Sequence, residues 1–391
     1  MNGAIPFVTA ELPGVGGLLR VEPEDFVVEE VPAYAPSGVG EHAFLWVQKR
    51  GITTADAARV LARHAGLRER DVGTAGLKDK RAVTRQLFSL CLADASRFLD
   101  FEAPGLRVLW VKRHGNKLKT GHLRGNRFVL TVRGVGPSAE ARARDILARL
   151  AVTGLPNAYG PQRFGRDGAT ASLGRALLTG AAHPDRSRAE RDGRLRRLAL
   201  SAFQSQLFNA LLVRRLNAAT WTAAMPGDVL QKPTGAAFVC EDPAVDQARV
   251  DAFELSVAGP MFGPKMLAAR GEPLAVEQAV LAEAGVAPSL FERGGELTLG
   301  ARRPLRVSVA QPRVAAGADG TLEVSFGLPR GSYASVVMAE VMKADVSLEG
   351  DGDGESPSND RHRFGAASGE PSAARSAESD CSTNLEPPVR G

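Results

Sequence analysis

The 391-residue chain has few of the features that mark secreted, membrane or metal-binding proteins. Its three cysteines, Cys91, Cys240 and Cys381, lie far apart and form no CxxC pair, so neither a disulfide framework nor a zinc site is expected. No apolar run approaches the roughly 18 residues that a membrane helix needs, and residues 1–20 lack a charged start followed by a hydrophobic stretch. We therefore expect a cytoplasmic protein with reduced thiols.

Motifs for nucleotide cofactors and metals are also missing. The sequence has neither a P-loop nor a GxGxxG fingerprint, and its six histidines show no metal-ligand spacing. We expect no cofactor and no metal. A hydrophobic content of 44% is that of an ordinary globular protein. The chain is long enough for two domains, because single cores rarely grow past roughly 250 to 300 residues.

Charge is unevenly distributed along the chain. The whole sequence carries +5, but residues 344–391 hold ten acidic and four basic residues, a net charge of −6, so residues 1–343 carry +11. A body that basic favours a polyanionic partner such as nucleic acid. An arginine-rich composition without any such ligand explains the same numbers equally well, and charge alone does not decide between the two.

Alternating apolar and polar residues predict a sheet in the first third of the chain. The segments predicted as strands are GLLRVE, DFVVEEV, HAFLWVQKR, TRQLFSL, LRVLWVKR and NRFVLTVRGV. In the last segment Phe128, Leu130 and Val132 alternate with other residues, which indicates a sheet with two unlike faces. A helix is predicted in TTADAARVLARHAG, closed by Gly66, and another after Ser138.

The pattern changes between Pro156 and about Arg303, where a helical Ala-, Arg- and Leu-rich segment interrupts the strands. The strand-then-helix pattern returns in TLEVSFGLPRGSYASVVMAEVMK, with Ser332 as the expected helix cap. Strands joined by short turns and then covered by helices predict a mixed α+β fold, not a doubly wound one. We predict a discontinuous sheet domain, residues 1–155 and 304–343, into which residues 156–303 are inserted.

Residues 344–391 have a different composition from the rest of the chain. They are rich in Ser, Gly, Asp, Glu and Pro, with almost no large apolar residues after Leu348. Such a segment cannot bury enough surface to offset its ordering entropy, so we expect a disordered acidic tail.

A lone acid stands among cations in the segment GTAGLKDKRAVTRQLFSL. Asp79 lies within the run Lys78-Asp79-Lys80-Arg81, after VGTAGL, which resembles a buried strand ending in glycines. A solvated turn without any role is the common explanation of a KDK sequence. Here apolar strands lie on both sides, and nearby cations hold a carboxylate ionised. These features favour a nucleophilic or charge-stabilising role on a negatively charged substrate.

Two other segments are candidates for contact with nucleic acid. HGNKLKTGHLRGNRF combines four basic residues with Phe128, which suits phosphate contact and base stacking. A solvated hairpin with Phe128 in the core is the simpler interpretation of that segment alone. PNAYGPQRFGRDG is too irregular for regular secondary structure, and long loops of this kind are often functional.

Six segments, taken in order over about residues 13–343, resemble the TruD family of tRNA pseudouridine synthases. They are LLRVEPEDFVVEE, GEHAFLWVQKRGITT, AGLKDKRAVTRQ, GNRF, PNAYGPQRFG and LPRGSYAS. Each short motif is weak by itself, and their order and spacing make the resemblance strong. The family's fold is a pseudouridine synthase catalytic core with a mostly antiparallel sheet and an inserted TRUD domain, which agrees with the organisation predicted above.

The resemblance implies roles for particular residues. Asp79 matches the family's catalytic aspartate, and Arg20 matches the basic residue that pairs with it, often a lysine in the family. Asn126 and Phe128 resemble the polar and stacking residues of the uridine pocket. Tyr333 falls at an aromatic position that is phenylalanine in some members.

Residues near these positions are expected to complete the substrate site. Lys78 neighbours the aspartate and is expected to contact the substrate. The implied partner is tRNA, and we expect no membrane association and no obligate protein partner, with the chain acting as a monomer. The residues expected to contact RNA are Lys80, Arg81, Lys117, Lys119, Arg124 and Arg163.

The implied reaction is isomerisation of uridine to pseudouridine, at uridine 13 of certain tRNAs. The N1–C1′ bond breaks, the uracil turns, and C5 bonds to C1′, which needs no cofactor. The target nucleotide must leave the stack at a cost of a few kcal/mol, which aromatic stacking at about 1–3 kcal/mol per base can offset. Two alternatives stay open: a catalytically silent RNA-binding or RNA-folding protein on the same scaffold, and an N-glycosidase that cleaves without rejoining.

Overall fold

A computed structural model describes residues 5–344 of the chain. The α-helices in this part are α1 (Thr54–Ala65), α2 (Ala139–Thr153), α3 (Ala169–Thr179), α4 (Arg186–Arg191), α5 (Gly193–Asn217), α6 (Pro243–Asp251), α7 (Gly271–Glu283) and α8 (Ala334–Met342). The 3₁₀ segments are Pro23–Asp25, Glu69–Asp71, Ser96–Phe98, Pro161–Arg163, Arg166–Gly168 and Pro288–Thr298. The predicted acidic tail lies outside the described residues from position 345 onward.

The strands in the described residues form three sheets. They are β1 (Leu18–Leu19), β2 (Phe26–Pro32), β3 (His42–Arg50), β4 (Gly73–Thr74), β5 (Val83–Cys91), β6 (Glu102–Ala103), β7 (Leu106–His114), β8 (Leu123–Arg133), β9 (Leu155–Pro156), β10 (Val229–Gln231), β11 (Ala237–Val239), β12 (Ser256–Met261), β13 (Ala301–Pro304), β14 (Arg306–Val307), β15 (Ala310–Ala316) and β16 (Thr321–Pro329).

The largest sheet has ten strands, and eight of them follow the order β15-β16-β8-β2-β5-β3-β7-β6, with β1 on β8 and β4 on β5. All its described pairings are antiparallel except β2 with β5. The predicted mixed α+β class with a mostly antiparallel sheet is therefore confirmed. β16 returns from the end of the described chain to pair with β8, so the C-terminal part closes a sheet that the N-terminal part begins.

One face of this sheet is buried, as the alternation in β8 predicted. Phe128, Leu130 and Val132 are at most 6% exposed and share a core with residues of α2 and α8. Farther along the same face, Leu45 of β3 lies opposite Phe88 of β5, and both pack against α1. Helices therefore cover two separate parts of one face: α2 and α8 cover the part that includes β8 and β2, and α1 covers the part that includes β5 and β3.

In sequence, the segment between the N-terminal and C-terminal strands of the large sheet forms a second core. Phe203, Leu207 and Phe208 of α5 pack there with Val257 of the small sheet β11-β10-β12-β13. The chain leaves the large-sheet part and returns to it at neighbouring positions, because β9 pairs with β14. The proposed division at residues 156 and 303 stays a prediction, although the pairing puts both crossings at one place.

Local predictions met with mixed success. Thr53 caps α1 through its side chain, and Gly66 ends that helix in the left-handed region at φ 72°, as predicted. α2 begins after Ser138, but the Ser138 side chain makes no capping hydrogen bond. The prediction that Ser332 caps the last helix is wrong, because Tyr333 occupies that position and the Ser332 hydroxyl donates to Asn157 instead.

Two predicted strands are much shorter in the structure. Only Leu18–Leu19 of GLLRVE and Gly73–Thr74 of VGTAGL pair as strands. In both segments the chain leaves the sheet early and continues as irregular backbone. Arg20 follows the first short strand, and the segment with Asp79 follows the second. Within residues 5–344, no single helix is long and apolar enough to cross a membrane; one bent pair, Gly271–Glu283 with Pro288–Thr298, passes that test only when joined.

Candidate active site

Asp79 lies in the loop that joins β4 to β5, and its carboxylate faces solvent. The side chain is 58% exposed and accepts a hydrogen bond of 3.1 Å from Nη2 of Arg20. Arg20 is distant in sequence and follows β1, which pairs with β8 at the same end of the sheet. The structure therefore brings together the two residues predicted as a catalytic pair.

Arg20 is held in an unusual conformation for a residue with a Cβ. Its backbone has φ 62°, in the left-handed region, and its guanidinium lies 3.7 Å from the centroid of the Phe26 ring. The side chain is 12% exposed. Burial lowers the pKa of Arg20 from its ordinary value, the Asp79 carboxylate opposes that shift, and Arg81 adds to it. Asp79 is thus the counter-ion of a largely buried cation.

Lys78 and Glu30 form a buried ion pair next to the aspartate. The Lys78 ammonium lies 2.9 Å from Oε2 of Glu30, and the two side chains are 6% and 0% exposed. Glu30 also accepts from the backbone N–H of Leu87 at 3.3 Å. Lys78 was predicted to contact the substrate, but its ammonium points into the protein, and this placement argues against direct contact. The Lys80 and Arg81 side chains remain at the surface.

Asn126 lies beside this ion pair in the sheet. Its Cα is paired with Glu30 on β2 and with Leu328 on β16, so the three side chains share a face. Oδ1 of Asn126 is buried and has no hydrogen-bond partner among the described residues. Buried polar atoms are nearly always satisfied, so an orphaned amide oxygen at this position favours a ligand or water partner.

Phe128 occupies the core and not the surface. Its ring is edge-on to Phe26 at 6.2 Å and tilted against Phe326 at 5.5 Å, and the residue is 6% exposed. Phe26 separates it from the Arg20 guanidinium. In this structure the Phe128 ring packs against Phe26, whose ring contacts the Arg20 guanidinium, and the stacking of Phe128 on a base stays a prediction.

Tyr333 connects the site to the inserted segment. Its ring meets that of Tyr159 at 5.8 Å in an edge-to-face arrangement. Tyr159 belongs to PNAYGPQRFG and lies 4.1 Å below the guanidinium of Arg303. Arg303 in turn donates to Asn157 Oδ1 at 2.6 Å and to the carbonyl of Gly331 at 2.8 Å, two residues before Tyr333.

Comparison with known proteins identifies the family of this chain. The family model described as tRNA pseudouridine synthase D (TruD) matches residues 4–184 and 186–341. The chain is 54% identical over 347 residues to the tRNA pseudouridine synthase D of Anaeromyxobacter dehalogenans strain 2CP-C, covering 88% of this chain and 98% of that protein. The chain belongs to the TruD family. It is therefore an enzyme of the TruD type, an isomerase.

Two more distant members of the TruD family agree in length and in fold. The tRNA pseudouridine synthase D of Thermus thermophilus is 44% identical over 349 residues, covering 87% of this chain and 93% of the relative. A crystal structure assigned to the TruD protein of Methanosarcina mazei superposes with a TM-score of 0.72 at 26% identity, covering 87% of this chain and 97% of that one. The similarity thus spans both the large sheet and the inserted segment.

Most of the residues predicted to contact RNA in this TruD-family chain lie at the surface. Lys80, Arg81, Lys119 and Arg124 are exposed. Lys117 is half-buried, and its ammonium donates to the carbonyl of Arg70 at 2.8 Å. The loop that carries Lys117 and Lys119 contacts the segment between β4 and β5 that carries Asp79, because residue 121 donates its backbone N–H to the carbonyl of residue 75 at 2.7 Å.

Arg163 is the exception among the predicted RNA contacts. It is 6% exposed, and its guanidinium donates to the hydroxyls of Ser205 and Ser201 inside the inserted segment. The structure therefore gives Arg163 a packing role and argues against the predicted contact with RNA. The sequence prediction treated a basic residue in an irregular loop as exposed, and the contact of Arg163 with RNA stays a prediction.

Several side chains around Asp79 were missed by sequence reasoning. Lys49, Thr54 and Gln86 are buried and bind the backbone of the loop that carries Asp79. One signal for Lys49 was available in the sequence. It continues the every-second-residue phase of Ala43, Leu45 and Val47, where a charged residue is out of place.

Proposed function

We propose that this enzyme converts uridine 13 of tRNA to pseudouridine with Asp79 as its catalytic carboxylate. The observation that carries the proposal is the pair formed by a solvent-facing Asp79 and a largely buried Arg20, 3.1 Å apart. Such a pair presents a charged carboxylate to a substrate while its counter-ion stays inside the protein. The TruD relatives are named for action on tRNA, and the basic surface around the loop fits a polyanion.

Asp79 acts on the sugar side of the glycosidic bond. Its carboxylate meets the positive charge that develops at C1′ when the N1–C1′ bond breaks, as carboxylates do in glycoside cleavage. The uracil then turns and C5 bonds to C1′, the C5 proton is released, and N1 takes up a proton. Atoms balance without an oxidant or a second substrate. Arg20 is the counter-ion of the carboxylate and fixes its orientation from the protein side.

The uridine must be extruded from the RNA to reach Asp79. Asn126 suits recognition of the extruded base, because its unpaired Oδ1 can accept the N3–H of uracil. Tyr333 is half-buried, whereas Phe128 is 6% exposed, so Tyr333 is the better placed ring for base stacking. The described residues thus offer one hydrogen-bonding group and one accessible ring.

The inserted segment contributes to the same surface in this proposal. It is joined to the start of α8 by contacts among Tyr159, Arg303 and Tyr333. We propose that residues 156–303 form a separate domain that contacts the tRNA away from the flipped uridine. The chain acts as a monomer without an obligate protein partner, so the purified chain alone should be sufficient for turnover.

The test uses purified full-length protein and tRNA transcripts that carry either uridine or cytidine at position 13. Release of tritium from 5-tritiated uridine measures turnover, and nuclease digestion with mass spectrometry locates the product. We expect one pseudouridine at position 13, none in the cytidine transcript, and no free uracil. Free uracil would identify an N-glycosidase, binding without product would identify a silent RNA-binding protein, and product at another position would overturn the assignment of uridine 13.

A matched pair of variants tests the role of Asp79. We expect Asp79→Asn to lower turnover by about 10³-fold or more while the Kd for tRNA changes by less than about twofold. Asp71→Asn is the control, because Asp71 is another partly exposed carboxylate with an arginine partner, Arg68, at 3.1 Å. Its turnover should match the unmodified enzyme. Retained turnover in Asp79→Asn would refute the assignment.

A further inference from the structure

Lys49 is a buried lysine. Its ammonium contacts the backbone of the loop that joins β4 to β5 and carries Asp79, the catalytic loop of the proposed function. The residue is 1% exposed and lies on β3 opposite Thr84 of β5. Its Nζ donates to the carbonyl of Asp79 at 2.7 Å, to that of Lys78 at 3.1 Å and to that of Ile52 at 2.9 Å. One side chain therefore joins the catalytic loop to the connection between β3 and α1.

The chemistry of this contact suits a lysine. An ammonium group offers three N–H donors and no acceptor, and here three carbonyl oxygens meet it. Burying such a charge is costly unless its hydrogen bonds are made, so the arrangement has a cost that a leucine or valine at position 49 would not have. What the chain gains is a fixed backbone at the residue that carries the exposed carboxylate.

Two other buried side chains hold the same loop from the same side. The hydroxyl of Thr54, in the first turn of α1, accepts from the backbone N–H of Lys78 at 2.9 Å. Gln86 of β5 donates to the carbonyl of Gly76 at 3.1 Å and accepts from that Thr54 hydroxyl. Lys49 differs from both in gripping the carbonyl of Asp79 itself, so it acts closest to the Cα–Cβ bond that aims the carboxylate.

We propose that Lys49 is a positioning residue for the reaction. It fixes the backbone at residues 78 and 79 so that the Asp79 carboxylate projects toward the substrate beside Arg20. This inference rests on the proposed role of Asp79. Lys49 touches neither substrate nor RNA, because it is 1% exposed. Its loss should therefore misplace the carboxylate and slow turnover while leaving tRNA binding intact.

Lys49→Met tests this directly, since methionine is an unbranched side chain only one atom shorter than lysine and lacks the donors. We expect kcat per folded enzyme to fall by about 10²-fold, the effect of a small displacement of a catalytic group. The Kd for tRNA should stay within about twofold. Hydrogen exchange should rise in the peptide that contains residues 76–82. An unchanged kcat for the folded enzyme, or a loss confined to Kd, would overturn the proposal.

Arg113→Met is the matched control. Arg113 also binds three backbone carbonyls, those of Glu41, Leu92 and Ala93, but it does so at the opposite end of β5 from Asp79. A purely structural contribution of Lys49 would make the two variants alike, with lower thermal stability and an unchanged kcat for the folded fraction. We expect Arg113→Met alone to behave in that way, with no change of exchange in residues 76–82.

A second variant keeps the proposal testable should Lys49→Met fail to fold. Thr54→Val removes the hydroxyl that accepts from Lys78 and has a similar shape. We expect the same pattern with a smaller effect, about 3- to 10-fold in kcat with Kd unchanged. An unchanged kcat in Thr54→Val would then count against positioning by this network. If the unmodified enzyme forms no pseudouridine, the proposed function fails, and exchange in residues 76–82 still decides whether Lys49 holds the loop.

Discussion

Two buried ion pairs, one in the large sheet and one in the inserted segment, have similar geometry and different surroundings. Glu30 and Lys78 are 2.9 Å apart with side chains at most 6% exposed. Glu277 and Arg302 make two contacts, of 2.5 and 3.1 Å, with side chains at most 7% exposed. Each pair connects elements that are separate in sequence.

What distinguishes the two pairs is the residue beside them. Lys78 is followed by Asp79, which is 58% exposed and paired with Arg20, the residue that follows β1. Arg302 also donates to the carbonyls of Leu267 and Ala258, and burial raises the pKa of Glu277. A buried charge pair is therefore no sign of function by itself. The feature that favours a functional site here is a buried ion pair directly beside an exposed carboxylate.

The largest loss of stability is expected when each buried ion pair is broken in turn. Lys78→Met and Arg302→Met both leave a carboxylate buried without its partner, and each should lower the free energy of unfolding by about 3–5 kcal/mol. Denaturant titration measures that loss. The folded fraction of Lys78→Met should also lose turnover, whereas that of Arg302→Met should keep it. Equal turnover in the two folded variants would remove the distinction drawn between the pairs.

The second prediction concerns the counter-ion of the exposed acid. Arg20→Met removes the guanidinium that lies between Asp79 and the Phe26 ring, and we expect kcat to fall by about 10²-fold, about 2.7 kcal/mol. Arg20→Lys keeps a cation and should retain turnover within about tenfold. Steady-state kinetics on tRNA compares the three proteins. Full activity in Arg20→Met would show that Asp79 needs no charged partner.

The third prediction concerns Arg163, a buried arginine of the inserted segment. Arg163→Met leaves the Ser201 and Ser205 hydroxyls without their buried donor, so we expect a loss of about 1–3 kcal/mol in the free energy of unfolding. The salt dependence of tRNA binding should not change. A shallower dependence of log Kd on log salt would restore Arg163 to the RNA contacts predicted from sequence.

The smallest effect is expected at the two lysines of the loop beside the site. Lys119→Ala should weaken tRNA binding and reduce the slope of log Kd against log salt by about 0.7–0.9, the contribution of one phosphate contact. Lys117→Ala should change the slope less, because the Lys117 ammonium donates to a backbone carbonyl. Filter binding at several salt concentrations distinguishes them. Equal slopes for both variants would contradict this ranking.

The sequence was informative wherever a local pattern repeats. Alternation in β8 predicted which residues face the core, and the capping residues of α1 predicted its ends. It was less informative where one side chain had to be judged alone. Lys78, Phe128 and Arg163 were each expected at a binding surface, and each is largely buried. A single residue type does not report which neighbours the fold will supply.

The sequence by itself determined the fold class, the family and the identity of the exposed acid, because periodicity and motif order extend over hundreds of residues. The family resemblance already implied that Arg20 pairs with Asp79, and only the tertiary structure decided the geometry of that pair and which side chains hold the backbone of Asp79. Arg20 lies 59 residues before Asp79, and Lys49 lies 30 residues before it. Such contacts depend on how distant strands align in the sheet, and no pattern along the chain encodes that alignment directly.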